Sequence, residues 1–203
     1  MDIFTIFIIL IFSAIVHEVS HGLAAEKLGD STARNAGRIT LNPIPHIDMF
    51  GSILLPLLLL AVHSPVIFGA AKPVPVDFGR LRNPKRDMAL VSLAGPLSNF
   101  LLAILFVIPI KLNLANQISG PILLQAILIN IVLGTFNLVP IPPLDGSKVL
   151  AAFAPDRWMH KILAWERWGF VLVLVFLYLG LLSLILFPVI RTFGNIFGIN
   201  FGI

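Results

Sequence analysis

Five apolar stretches of twenty or more residues, 3–25, 49–71, 88–110, 118–139 and 169–190, limit what this chain can become. As a helix, such a run reaches about 30 Å, the thickness of the hydrocarbon core of a bilayer. The chain is 58% hydrophobic and only 12% charged, whereas soluble domains are about 25% charged. A soluble globule is excluded, and so is a disordered chain. A length of 203 residues leaves room for one membrane domain of about four to six crossings and for no separate soluble domain. The net charge of +4 sits in short loops, where it orients a chain in the bilayer rather than binding nucleic acid.

The first stretch follows Asp2 instead of a basic n-region and is longer than the usual signal core, so it is expected to be retained. Residues 38–42 read as a short extended piece and 42–45 as a turn. A second extended piece covers 71–78; Pro73 and Pro75 place both missing N–H groups on one edge and leave the other able to pair. Ser92, Gly95 and Ser98 recur at helical spacing and are read as a small-residue face for helix packing. Pro140 must end the helix begun at 118. The last stretch has no ionisable residue and is read as scaffold.

Three ionisable groups interrupt the first stretch. Residues 17–21 read HEVSH, an HExxH pattern. On a helix His17 and His21 are four apart and share a face, where two imidazoles can bind one Zn²⁺ with Glu18 in reach as general base. Burying these groups in an apolar helix without a metal or partner would cost several kcal/mol. The chain has no Cys, so any further ligand must be His or carboxylate. The metzincin continuation is absent, because Ala24 and Lys27 stand where Gly and His are required. Asp145, Asp48 and His46 remain as candidates for a third ligand.

HEVSH in the first apolar stretch, NPIPHIDMFGSILLP after it, AKPVPV, AGPLSNF at 94–100 and FNLVPIPPLDG at 136–146 together resemble the site-2 protease family of intramembrane zinc metalloproteases. The closer likeness is to its compact prokaryotic members without a PDZ or CBS domain, and it covers most of residues 1–155. The resemblance implies one Zn²⁺ held by His17, His21 and Asp145, with Glu18 as catalytic base. It implies that Asn137 contacts substrate or the oxyanion. His46 and Asp48 fall in a family-like segment and are accessory candidates. His63 and His160 are read as structural or interfacial.

The expected fold is an all-α multi-pass membrane protein, with about four full transmembrane helices, a re-entrant segment at 49–71 and short β-strands near the active site. One domain spans 1–203, with a catalytic core at 1–155. If 49–71 enters and returns, every Lys and Arg except Lys111 and Arg191 faces the cytoplasm, as the positive-inside rule favours. The same topology brings Asp145 to the side of the HEVSH motif. His17 lies about 12 Å along its helix from Ala25, which places the active site nearer the cytoplasmic side of the cell membrane. The expected activity is hydrolysis of peptide bonds in or near transmembrane segments of membrane proteins, with an unwound substrate added to the extended pieces as a strand. Two other readings of the same residues are a zinc- or proton-coupled transporter and a non-catalytic scaffold.

Overall fold

The computed structural model describes residues 3–48, 54 and 72–202. Helix α1 spans Ile3–Lys27 and is followed by the single turn α2, Thr32–Asn35. After a 3-10 turn at Ile44–His46 and another at Phe78–Arg80, α3 runs over Pro84–Lys111 and α4 over Ser119–Asn137. The C-terminal part holds α5 (Asp145–Phe153), α6 (Asp156–Ala164), α7 (Gly169–Tyr178) and α8 (Leu181–Phe197). Three helices, α1, α3 and α4, are long and apolar enough to cross a membrane, and α7 with α8 is a fourth candidate.

The start of α3 is set locally. Pro84 occupies its first turn, where a missing N–H costs nothing, and Asp87 reaches back so that its Oδ2 accepts from Asn83 N–H at 2.8 Å. From there α3 packs against α1, α4 and α5 and forms the centre of the molecule. Ala103 and Val107 of α3 meet Ile127 and Ile131 of α4, Ile190 of α8 and Ile199 in one buried cluster. In lipid such a cluster stabilises by close packing rather than by leaving water, because the surrounding acyl chains are equally apolar.

Side-chain pairing fixes helix directions. Val91 faces His21, whereas Asn99 faces His17 and Ser13, so α3 runs antiparallel to α1. Ser13 meets Asn130, and His17 meets Asp145, so α4 and the turn after it run parallel to α1. The end of α1 and the beginning of α3 therefore share a side. There Ala25, Leu81 and Val91 are buried together, Arg82 N–H donates to Leu28 O at 3.0 Å, and Lys72 N–H donates to His46 O at 2.9 Å. The expected re-entrant stretch 49–71, with Pro56, His63, Ser64 and Pro65, lies outside the described residues apart from Leu54.

The expected short strands do not form among the described residues: 39–41 are bends, and 72–77 belong to no helix or ladder. The amides that a strand edge would present are engaged elsewhere. Lys72 N–H goes to His46 O, Val74 N–H to Glu18 and Asp77 N–H to Asp30. The two pieces meet instead through a side chain, since Arg38 Nη2 donates to Lys72 O at 2.7 Å and to Pro73 O at 3.3 Å. The last apolar stretch is bent: α7 and α8 meet at 74°. Gly180 adopts φ 69° at the break, a left-handed conformation that glycine takes without steric penalty.

Candidate metal centre

His17 and His21 lie one turn apart on α1, and Asp145 opens α5 immediately after the prolyl turn that follows α4. The three are buried, and their ligand atoms converge. His17 Nε2 is 3.0 Å from His21 Nε2, and each is 3.1 Å from Asp145 Oδ2. Among the described residues this is the group of His and carboxylate side chains close enough to hold one metal ion.

Hydrogen bonds on the far sides of the rings assign the tautomers. His17 Nδ1 is 2.6 Å from Asn99 Oδ1, and His21 Nδ1 is 2.7 Å from the carbonyl of Val91. Both partners accept, so both Nδ1 atoms donate, and each ring in its neutral, metal-binding form turns an Nε2 lone pair inward. Two imidazole lone pairs and a carboxylate oxygen thus face one another at about 3 Å. That arrangement requires positive charge between them, and a divalent cation supplies it with one ligand from each residue. The triangle also suits zinc: bonds of about 2.0–2.1 Å at tetrahedral angles separate ligand atoms by roughly 3.3 Å.

Gly95 keeps this space open. A Cβ there would lie 2.4 Å from His21 Nε2 and 2.6 Å from His17 Nε2. The small residue expected to admit a neighbouring helix instead admits two imidazoles. Gly146 has a parallel role in the turn that presents Asp145, where a Cβ would meet Leu138 O at 2.2 Å and Val139 O at 2.6 Å. Its requirement is steric, because closure of the turn brings backbone against it.

Glu18 is half-buried beside the triangle, and its Oε2 accepts from Val74 N–H at 2.7 Å. Lys148, one turn beyond Asp145, places Nζ 3.8 Å from Asp145 Oδ1 and 4.0 Å from Glu166 Oε1. Asn137 ends α4 with its Nδ2 donating to Leu133 O at 3.0 Å, within its own helix. His46 is buried in the loop after α2, with Nε2 2.9 Å from Thr40 O and Nδ1 without a hydrogen-bond partner among the described residues. Neither His46 nor the half-buried Asp48 joins the converging group.

The family model for peptidase family M50 matches residues 109–182, a region that includes Asp145. YwhC of Bacillus subtilis (strain 168) is 38% identical over 197 residues, covering 91% of this chain and 85% of that protein. The chain belongs to peptidase family M50. Two further relatives of this M50 chain are Rip2 of Mycolicibacterium smegmatis, 28% identical over 94% of the chain and 73% of that protein, and MJ0392 of Methanocaldococcus jannaschii, 27% identical over 95% of the chain and 48% of that protein. The names of all three contain the words zinc metalloprotease. No solved structure matches the chain. Membership in M50, the site-2 protease family, agrees with the resemblance read from HEVSH and LDG, and does not favour a transporter or a scaffold.

Sequence reasoning missed Asn99, the partner of His17. It lies in the AGPLSNF segment, and the available signal was a side-chain amide in an apolar helix four residues from Gly95. Four-residue spacing was legible; which helix that face would meet was not.

Proposed function

We propose that this protein is an intramembrane zinc metalloprotease in which His17, His21 and Asp145 hold the metal and Glu18 is the catalytic base. The observation that supports this most directly is the convergence of three lone-pair donors on one point, 3.0–3.1 Å apart, next to a carboxylate. Zinc, when bound, supplies Lewis acidity toward a water molecule and a scissile carbonyl. Glu18 accepts a proton from the attacking water as the new C–O bond forms, and returns it to the amine nitrogen as the C–N bond breaks. Val74 N–H holds Glu18 Oε2 and leaves Oε1 to move that proton.

Substrates are transmembrane segments of membrane proteins, locally unwound so that a backbone carbonyl is accessible. Asn137 is assigned to contact with substrate or oxyanion, and His46 and Asp48 to accessory positions on the loop after α2. Residues 1–203 act as one membrane-embedded domain with its catalytic core at 1–155. The stretch 49–71 is read as re-entrant, since α3 returns antiparallel to α1 and His46 is hydrogen-bonded to Lys72. That reading puts the site nearer the cytoplasmic face of the cell membrane.

Glu18→Gln tests the assignment. Purified in detergent, the variant is expected to retain one zinc per chain and to lose cleavage of a transmembrane peptide by about 10²–10⁴-fold. Zinc-dependent cleavage that survives in Glu18→Gln would falsify Glu18 as the base. Parent protein without any zinc-dependent proteolysis would remove the enzymatic reading. For Asn137, His46 and Asp48, alanine variants are expected to lower cleavage without loss of zinc; parental rates would remove each assignment.

A further inference from the structure

Ser13, Asn99 and Asn130 come from three different helices, and each is fully buried at 0% exposure. Polar side chains at such depth in a membrane protein are costly unless every group is satisfied. Here two backbone carbonyls decide how the amides are turned. Asn130 Nδ2 donates to Ala126 O at 2.9 Å and to Ser13 Oγ at 2.9 Å, which leaves Asn130 Oδ1 facing α3. Asn99 Nδ2 then donates to that Oδ1 at 3.0 Å and to Ser13 O at 3.2 Å. With its amide nitrogen committed to two acceptors, Asn99 can turn only Oδ1 toward His17, 2.6 Å away. A flipped amide would set Asn99 Oδ1 against Asn130 Oδ1, two acceptors face to face, leave Ser13 O without this donor and present an N–H to His17 Nδ1.

We propose that Asn99, locked by Asn130 and Ser13, is a positioning residue that fixes the His17 tautomer, so that Nε2 and not Nδ1 carries the lone pair aimed at the metal. The inference rests on the zinc reading given above. Asn99 touches neither substrate nor metal and acts through His17. Its amide carbonyl does for His17 what the Val91 carbonyl does for His21. One ligand is oriented by a backbone that nearly any residue could provide, the other by a side chain that only an acceptor can replace. Partners that orient ligating imidazoles typically change metal affinity by about 10–100-fold when removed.

The test compares Asn99→Leu, which keeps the volume and loses the acceptor, with Asn99→Asp, which keeps the acceptor. Zinc affinity of the detergent-purified proteins is read by chelator competition, with His17→Ala as reference. Asn99→Leu is expected to bind zinc about 10–100-fold more weakly, and Asn99→Asp to stay well above it, closer to the parent. Parental affinity in Asn99→Leu while His17→Ala loses zinc overturns the positioning role alone. Parental affinity in His17→Ala overturns the zinc reading beneath it. Should Asn99→Leu fail to accumulate, ¹⁵N-histidine NMR of the zinc-loaded parent decides: a protonated Nδ1 on His17 whose resonance shifts in Asn99→Asp supports the proposal, and an unprotonated Nδ1 overturns it.

Discussion

Val74 N–H donates to Glu18 Oε2 at 2.7 Å, so a backbone amide of the segment before α3 holds the carboxylate of the HEVSH motif. Glu18 lies on α1, fifty-six positions away in sequence. Expected as an edge for strand pairing, the segment instead directs an amide at this carboxylate.

Val74→Pro removes that N–H. Cleavage of a transmembrane peptide is expected to fall about tenfold or more, within the range that a general base contributes, while zinc content holds at the parental level. Val74→Ala keeps the N–H and should cleave at close to the parental rate. Equal rates in the proline variant and the parent would show that Glu18 needs no such support.

Gly95→Ala places a methyl group 2.4 Å from His21 Nε2 and 2.6 Å from His17 Nε2, distances that real Cβ atoms do not occupy. The two rings must turn away from each other, and zinc affinity is expected to drop by more than the roughly 10–100-fold assigned to loss of an orienting partner. Metal analysis after dialysis against a weak chelator reads this directly. Retention of one zinc per chain would contradict the close approach described for α3 and α1.

Gly146→Ala tests presentation of Asp145. A Cβ at 146 meets backbone atoms of Leu138 and Val139 at 2.2–2.6 Å, and backbone cannot step aside as a flexible side chain can. Loss of zinc together with a lowered unfolding temperature is expected. Gly120→Ala, where a Cβ meets nothing within 4 Å, serves as the tolerated control, and similar behaviour of the two variants would refute the steric account.

Asp30 predicts a pH dependence of stability. Its burial opposes ionisation, but donation from the Thr32 hydroxyl, from Asp77 N–H at 2.8 Å and from Thr32 N–H at 3.0 Å, with the charge of Arg80, holds the carboxyl below its ordinary range. A carboxylate with a lowered folded-state pKa contributes stability that is complete above its unfolded value of about 3.9 and is lost as pH falls through the folded value. Asp30→Asn should therefore be less stable than the parent at neutral pH, with the difference narrowing below about pH 4. Thermal unfolding of both proteins from pH 3 to pH 7 checks this, and a difference independent of pH would exclude the carboxylate as its source.

The group that converges was legible in part: HEVSH places two imidazoles on one helical face, but the residues alone left Asp145, Asp48 and His46 open, and only the family resemblance singled out the carboxylate that meets them. Three membrane-length helices were legible as apolar runs. The bend at Gly180 was not, since an apolar run reads alike whether straight or broken and glycine is common inside transmembrane helices. The pieces read as extended form no strand among the described residues, because proline placement reports an edge without reporting what its amides will meet. His46 stood out as a possible ligand by type, yet it lies against Thr40 and Lys72 in a loop. Asn99 was hidden among small residues whose ordinary use is packing.

Val91, Gly95 and Asn99 follow one another at intervals of four along α3 and face His21, both histidines and His17 respectively. The two helices thus read against each other in fixed register, in opposite senses. Inserting or deleting one residue between Val91 and Asn99 would turn one end of this face by about 100° relative to the other. Either Val91 or Asn99 would leave its imidazole, whatever residue was inserted. Spacing across this segment is therefore a stricter requirement than side-chain identity on its lipid-facing positions, and alanine-insertion scanning of α3 with zinc affinity as readout should show a sharp minimum confined to these positions.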